Sequence, residues 1–350
     1  MNSKQGKPLV SIIILNYNAG DLLLDCVESI FKTNYNNFEV IVVDNVSTDN
    51  SHKKCKEKFE KIRLIENSKN LGFCEGNNVG INESNGEFIV MINPDTTVEP
   101  DWIDELFAAY EEYGEGIFQP KILSLEDKHI LQSTGNMIHL FGFGSSRDVG
   151  TIDRNQREEI EKVGYAAGTC LFTTSKVFKT VGLLDSFIFI YHDDVDFGWR
   201  AAQLGIPSYY VPKSKIYHFK SYNFKWSAEK FYWLERNRKY CILTHYSEKT
   251  LKKMKTSLFF VDILVWFAYV LKGFTKSKIR ADKDIRKNME LIKKRQKELE
   301  SMRKISDEEL IAKFPDTIFL SNNISGGISN KIFNLIITRL SRTTKKNLLN

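Results

Sequence analysis

Short apolar, β-branched runs that each break off at an asparagine or aspartate constrain this chain more than any other feature. Residues 10–15 end at Asn16-Tyr17-Asn18, residues 38–43 at Asp44-Asn45, and residues 88–92 at Asn93-Pro94-Asp95. Runs of this length, continuous rather than alternating, predict strands buried on both faces. Residues 62–65 predict another. Between the first two runs Leu22, Leu23, Cys26, Val27 and Ile30 recur at helical spacing. Residues 100–110 begin with proline and read as a helix. Strand–helix alternation predicts an α/β fold, a mostly parallel sheet with helices on both faces. Ligands of such sheets bind beyond the carboxyl ends of the strands. The three polar tips therefore predict one site at one edge.

A second signal lies about a hundred residues after Asn93-Pro94-Asp95. Asp193, Asp194 and Asp196 fall within four positions, ahead of Arg200. Each carboxylate raises the cost of ionising the next. Such crowding points to a metal, a cationic partner or a proton-transfer role. Together the two acidic signals suggest an enzyme that handles a phosphate-bearing donor through a divalent cation. Arg200 stands at helical spacing from Asp196, which predicts an ion pair between them.

Charge is uneven along the 350 residues, whose net is +6. Residues 1–250 carry 28 basic and 34 acidic side chains; the last hundred carry 22 and 10. A basic tail suits an anionic partner, a membrane surface or nucleic acid. No recognisable nucleic-acid module accompanies it, so nucleic acid is not expected. The five cysteines stand singly without a Cys-x-x-Cys pair, which argues against a disulfide framework or zinc site and fits a reducing compartment. The first apolar run is too short for a signal peptide and reads as a strand.

Asn70-Leu71-Gly72-Phe73 leads through Gly76-Asn77-Asn78 to the Asn93-Pro94-Asp95 tip. With the Asn-Tyr-Asn tip, Val43-Asp44-Asn45 followed by Ser47 and Asp49, the Asp-Asp-x-Asp-Phe-Gly-x-Arg segment and His218, these elements stand in the order seen in family-2 glycosyltransferases. The chain resembles that family over about residues 8–245, especially its rhamnosyl- and galactofuranosyltransferase branch. The resemblance implies a GT-A, Rossmann-like fold and an inverting transfer from a nucleoside-diphosphate-sugar, dTDP-rhamnose or a UDP-hexose. It implies a nucleotide-binding half at 1–115, an acceptor half at 116–245 and a helical, basic region at 246–350.

By the same resemblance Asn16, Asn18, Asp44, Asn45, Asn78 and Asn93 would contact the donor. Asp49 is either part of this set or a helix cap. Asp95 and His218 would bind Mn²⁺ or Mg²⁺, hard cations that prefer carboxylate oxygen and bridge a diphosphate. Asn93 stands where many relatives carry a further aspartate, and a lone histidine is more often structural. Asp194 would be the base that takes the acceptor hydroxyl's proton, with Asp193 binding the acceptor or orienting the base. Gly168, Thr169 and Trp199 would meet the acceptor, although Gly168-Thr169-Cys170 reads equally as a tight turn into a strand. Trp226, Tyr232, Trp233 and Arg236-Asn237-Arg238 resemble the end of the catalytic module, with core packing the commoner role for such aromatics. The Gln-x-x-Arg-Trp signature of processive relatives is absent, which favours adding one or a few sugars.

The implied setting is bacterial cell-surface polysaccharide assembly, at the inner face of the cell membrane, on a glycan or lipid-linked acceptor. Residues 257–271 are apolar but for Asp262 and fall short of the roughly 20 residues of a span. Lysines flank the run, so it reads as an in-plane membrane element or as an ordinary packed helix. Two other classes remain: a non-catalytic sugar-nucleotide or glycan scaffold at the membrane, and a nucleotidyltransferase. The second would use a glycine-rich phosphate loop near the N-terminus, and residues 11–20 offer none.

Overall fold

The computed structural model describes residues 6–219, 227–318 and 328–350. Trp226 lies outside the described residues. Strands β1 (Val10–Asn16), β2 (Phe38–Asp44), β3 (Arg63–Glu66) and β4 (Phe88–Ile92) match the apolar runs to within a residue. They form a parallel block in the order β4-β1-β2-β3. Helices α1 (Asp21–Phe31), α2 (Ser51–Lys58) and α3 (Gly72–Asn82) are its crossovers.

The second half of the same sheet is mixed. Its elements are β5 (Thr96–Val98), α4 (Trp102–Tyr113), β6 (Ile117–Ser124), β7 (Leu131–Ser133), the hairpin β8 (Asn136–Ile138) and β9 (Gly144–Ser146), β10 (Glu161–Val163), β11 (Cys170–Thr174), α5 (Ser175–Val181), α6 (Asp193–Gln203) and β12 (Ser208–His218). From β4 the sheet continues β11-β6-β12-β10, with β11 antiparallel to both neighbours and β12 parallel to β6. The strands of residues 116–245 thus extend the first sheet, except the β8–β9 hairpin, which forms a separate two-stranded one.

Successive side chains of a strand enter opposite faces. Ile12, Ile14, Val42 and Val90 enter a core with Leu23, Val27, Ile103 and Leu106. Ile13, Ile89 and Met91 enter a second core. Both faces are covered, which is why the runs are continuous rather than alternating.

That second core is closed by helices α7 (Ala228–His245), α8 (Glu248–Leu271), α9 (Thr275–Lys287), α10 (Met289–Met302), α11 (Asp307–Lys313) and α12 (Ile328–Leu349). The N–H groups of Lys230, Thr250 and Glu309 donate to the hydroxyls of Ser227, Ser247 and Ser306, capping α7, α8 and α11. Each such cap contributes about 1 kcal/mol. The length expected for the apolar run needs correction. It lies inside α8, whose 24 residues are long and apolar enough to cross a membrane by length and composition, the one such helix among the described residues. The charged half before it, residues 248–256, masks this continuity in the sequence.

Candidate active site

Strand register brings the polar tips together. Asn16 pairs with Asp44, and Ile14 with Ile92, so all three tips leave one edge. Asn16 Nδ2 donates to Asp44 Oδ1 at 2.8 Å and to the Ser47 and Ser51 hydroxyls at 3.0 Å. Ser47 N–H donates to Asp44 Oδ2 at 2.9 Å. Asn45 Nδ2 donates to Gly72 O at 2.9 Å, while its Oδ1 accepts from Asn67 Nδ2 and the Leu71 N–H. Asn16, Asp44 and Asn45 are buried. Here they brace the loops after β1 and β2, whereas Asn18 is exposed and its Oδ1 accepts from the Thr48 N–H at 2.7 Å. Asp49 is the loop's clasp rather than a cap of α2: it accepts from the Gly20 N–H, the Ser51 N–H and the Ser51 hydroxyl.

Two expectations are corrected. Asn78 lies in α3, where it is a clamp: its Nδ2 donates to Leu184 O and its Oδ1 accepts from the Leu184 N–H, at 2.9 and 3.0 Å. Its Nδ2 also donates to Glu75 Oε2 at 3.1 Å, so the amide is fully spent and, at 4% exposure, offers nothing to a donor. Trp199 is fully buried, packed against His245, Tyr246 and Phe314, and cannot meet an acceptor.

Asp95 and His218 come together through sheet pairing. Asp95 immediately precedes β5, which pairs antiparallel with the end of β12, and the Phe219 N–H donates to Asp95 O at 2.8 Å. His218 Nε2 then lies 3.3 Å from Asp95 Oδ1. Gln132, on β7, fixes the ring. Its Nε2 donates to His218 O at 2.8 Å, which turns its Oε1 towards His218 Nδ1 at 2.7 Å. Nδ1 therefore carries the proton and donates it to Gln132. In the neutral ring Nε2 then presents a lone pair to Asp95 Oδ1, a buried oxygen without a hydrogen-bond partner. Two acceptors facing each other at this distance repel unless a cation or proton lies between them. A carboxylate and an imidazole suit a divalent cation. Gln132 belongs to no motif, and only the β6–β7–β12 pairing brings it to His218.

The acidic segment reaches the same edge. Asn93 N–H donates to Thr169 O at 2.9 Å, and Gly168 N–H donates to Asp194 Oδ2 at 3.2 Å. Thr169 and Gly168 thus bridge the β4 tip to the start of α6. A side chain at Gly168 would place its Cβ 2.9 Å from Asp193 Oδ2, so glycine is needed for the approach. Tyr191 and His192, just before α6, both adopt left-handed backbone, φ 66° and 65°. This conformation is costly for residues other than glycine and is held by its surroundings. Asn237 of α7 supplies part of the hold, donating to Ile190 O and Tyr191 O at 2.9 and 2.8 Å.

Burial, the leading cause, raises the Asp194 carboxyl to about 6, against hydrogen bonds from the Gly168 and Val195 N–H groups. Burial and then the charge of Asp194 push Asp193 well above the carboxylate range. Asp196 is set apart from the pair, buried against Arg200 Nη2 at 2.7 Å.

Residues 11–182 match the model of glycosyl transferase family 2. Agl10, a low-salt glycan biosynthesis hexosyltransferase of Haloferax volcanii, is 27% identical over 203 residues, 56% of this chain and 62% of its own length. The chain therefore spans less than two thirds of that relative. An N-acetylglucosaminyl-diphospho-decaprenol L-rhamnosyltransferase of Mycobacterium tuberculosis is 25% identical over 237 residues, 61% of this chain and 77% of its own length. The crystal structure of GalNAc-T7 with UDP, GalNAc and Mn²⁺ shares the fold, with a TM-score of 0.57 at 15% identity over 69% of this chain and 48% of that one. A parallel block at one side of the sheet, a family match that runs through it and on to β11 and α5, and the shared fold give this chain a family-2 glycosyltransferase domain of the GT-A type.

Proposed function

We propose that the chain transfers a sugar, with inversion, from a nucleoside-diphosphate-sugar to a hydroxyl of a cell-surface glycan or lipid-linked acceptor. dTDP-rhamnose or a UDP-hexose is the donor, and the reaction takes place at the cytoplasmic face of the membrane. The rhamnosyl- and hexosyltransferase relatives support this choice of substrates. The observation that carries the reading is the backbone bridge from Asn93 through Thr169 and Gly168 to Asp194. It sets a carboxylate of raised pKa beside the β4 tip, where Asp95 meets His218 of β12.

Asp194 accepts the proton of the acceptor hydroxyl as the oxygen bonds to the anomeric carbon. The bond from that carbon to the diphosphate breaks on the opposite face. Asp193, held protonated by its burial and its neighbour, donates a hydrogen bond to the acceptor or to the base. Gly168 and Thr169 leave room for a sugar at backbone distance. Asn18 and the loop braced by Asn16, Asp44 and Asn45 receive the nucleoside. Asp95 and His218 would hold the divalent cation, which would supply Lewis-acid charge to offset that of the leaving diphosphate.

A donor panel tests this, with nucleoside-diphosphate release followed in Mn²⁺ or Mg²⁺ and lipid-linked acceptors supplied. One donor is expected to support metal-dependent release. Asp194→Asn is expected to lower it by about a hundredfold or more while donor binding persists. Release indifferent to that substitution would remove Asp194 as the base. Binding of sugar nucleotide without turnover on any acceptor would favour a non-catalytic scaffold.

A further inference from the structure

Helix α8 shows two opposite faces. Met254, Val261, Val265 and Tyr269 are buried in the core. On the other side Phe259, Phe260, Ile263, Phe267, Val270 and Leu271 are exposed, Phe259 and Phe267 at 62% each. At 100° per residue these six fall within one third of the helix circumference. So large an apolar stripe left in water marks an interaction surface.

Asp262 decides how the helix relates to a bilayer. It stands outside the exposed stripe and is held by Lys278 at 2.7 Å and Lys239 at 2.8 Å. Glu235 and Asp282 complete this cluster, and Lys278 Nζ lies 3.1 and 2.8 Å from them. The Lys239 and Lys278 ammonium groups pair with all three carboxylates, which leaves the cluster little charge to hold a metal. The cluster ties α8 to α7 and α9, so threading α8 through a membrane would tear these pairs apart. The helix can offer only its outer face.

The charge around that face completes the pattern. Lys252 and Lys253, exposed on the same side, precede the apolar stripe, and Lys272 follows it. The Thr344 hydroxyl donates to Ser257 Oγ at 2.7 Å, which sets the basic end of α12, with Arg342 and Lys346, beside the lysine end of α8. An apolar strip with a basic patch at one end complements lipid tails beneath anionic headgroups.

We infer that α8 docks in the plane of an anionic bilayer, with Phe259, Phe260, Ile263 and Phe267 entering the headgroup boundary and the lysines meeting lipid phosphates. The inference stands apart from sugar transfer, because vesicle association needs no turnover, and donor release on a soluble acceptor needs no vesicle.

Flotation of the full chain with phosphatidylcholine vesicles, with and without phosphatidylglycerol, tests it. Binding is expected only with phosphatidylglycerol, weakening as salt rises. The exposed pair Phe259→Glu and Phe267→Glu is expected to lower partitioning by about tenfold for each phenylalanine, with the thermal melt unchanged. Lys252→Glu with Lys253→Glu should also weaken it. Absence of binding to anionic vesicles, or binding indifferent to both variants, would overturn the inference. So would a dimer in sedimentation that the phenylalanine pair dissolves without any vesicle binding, since the face would then belong to a second copy of the chain.

Discussion

Asp193 and Asp194 are neighbours with different tasks, and pH separates them. Asp194 is raised to about 6, so its carboxylate form, the form a base needs, is present above that value and lost below it. The ratio kcat/KM is expected to climb through a midpoint near pH 6 to an alkaline plateau. A midpoint left near the ordinary carboxylate range would rule out the buried acid as the titrating group. Burial and the Asp194 charge oppose ionisation of Asp193 and favour its neutral form. An amide imitates that neutral state, so Asp193→Asn is expected to keep most of kcat where Asp194→Asn loses it. The linkage has a definite sign. A carboxyl raised in the folded state holds its proton more tightly there than in the unfolded chain. It therefore costs stability as pH climbs past the unfolded value. Asp193→Asn removes that cost and should raise stability at pH 7 by about 1 kcal/mol or more, read from the thermal melt. A destabilised Asp193→Asn variant would mean that the charged form is the one the fold holds.

Helices α6 and α7 act as a unit, because α7 holds the strained entry to α6. Asn237 spans Ile190 and Tyr191, Arg236 donates to Phe187 O and Arg238 to Phe141 O. Asn237→Ala removes two donors and is expected to cost about 1–3 kcal/mol. It should also lower kcat more than it raises KM, because the left-handed Tyr191–His192 turn that aims Asp194 loses its support. An equal change in both parameters, or none, would reduce Asn237 to packing. Little of this was legible in the sequence. The strand runs were, because burial on both faces leaves an unbroken apolar string, and so was the Asp196–Arg200 pair, which depends on local spacing alone. Trp199 was misread because α6 is buried almost all round, from Val195 to Ala201, so periodicity gave it no open face to contradict. Asn78 sits in a motif that resembles a donor loop, yet its amide meets Leu184, 106 positions away. Gln132 and Asn237 act through tertiary contacts that leave no trace in spacing.

The whole molecule joins the two regions that the sequence divides near residue 245. Met254, Val261, Val265, Tyr269, Ile285, Ile292 and Leu310 lie in the same core as Ile13, Met91 and Trp199. Hydrogen bonds cross the division as well: Gln203 O accepts from the N–H groups of Lys304 and Ile305, and Arg295 Nε donates to Asp185 Oδ2. Burial of a large apolar side chain is worth about 1.5–3 kcal/mol. Losing seven such partners would remove roughly 10–20 kcal/mol, as much as or more than the whole stability of a typical domain, about 5–15 kcal/mol. Residues 1–245 alone are therefore expected to lack a cooperative thermal transition and to bind a hydrophobic dye, although they carry every residue assigned to chemistry. A sharp melt from that fragment, close to that of the full chain, would show that the helices are an appendage. Failure of the fragment would mean that α8 has two roles, its inner face completing the core under the sheet and its outer face left for the bilayer. Changes at Phe259 and Phe267 should then alter where the enzyme works without altering whether it folds.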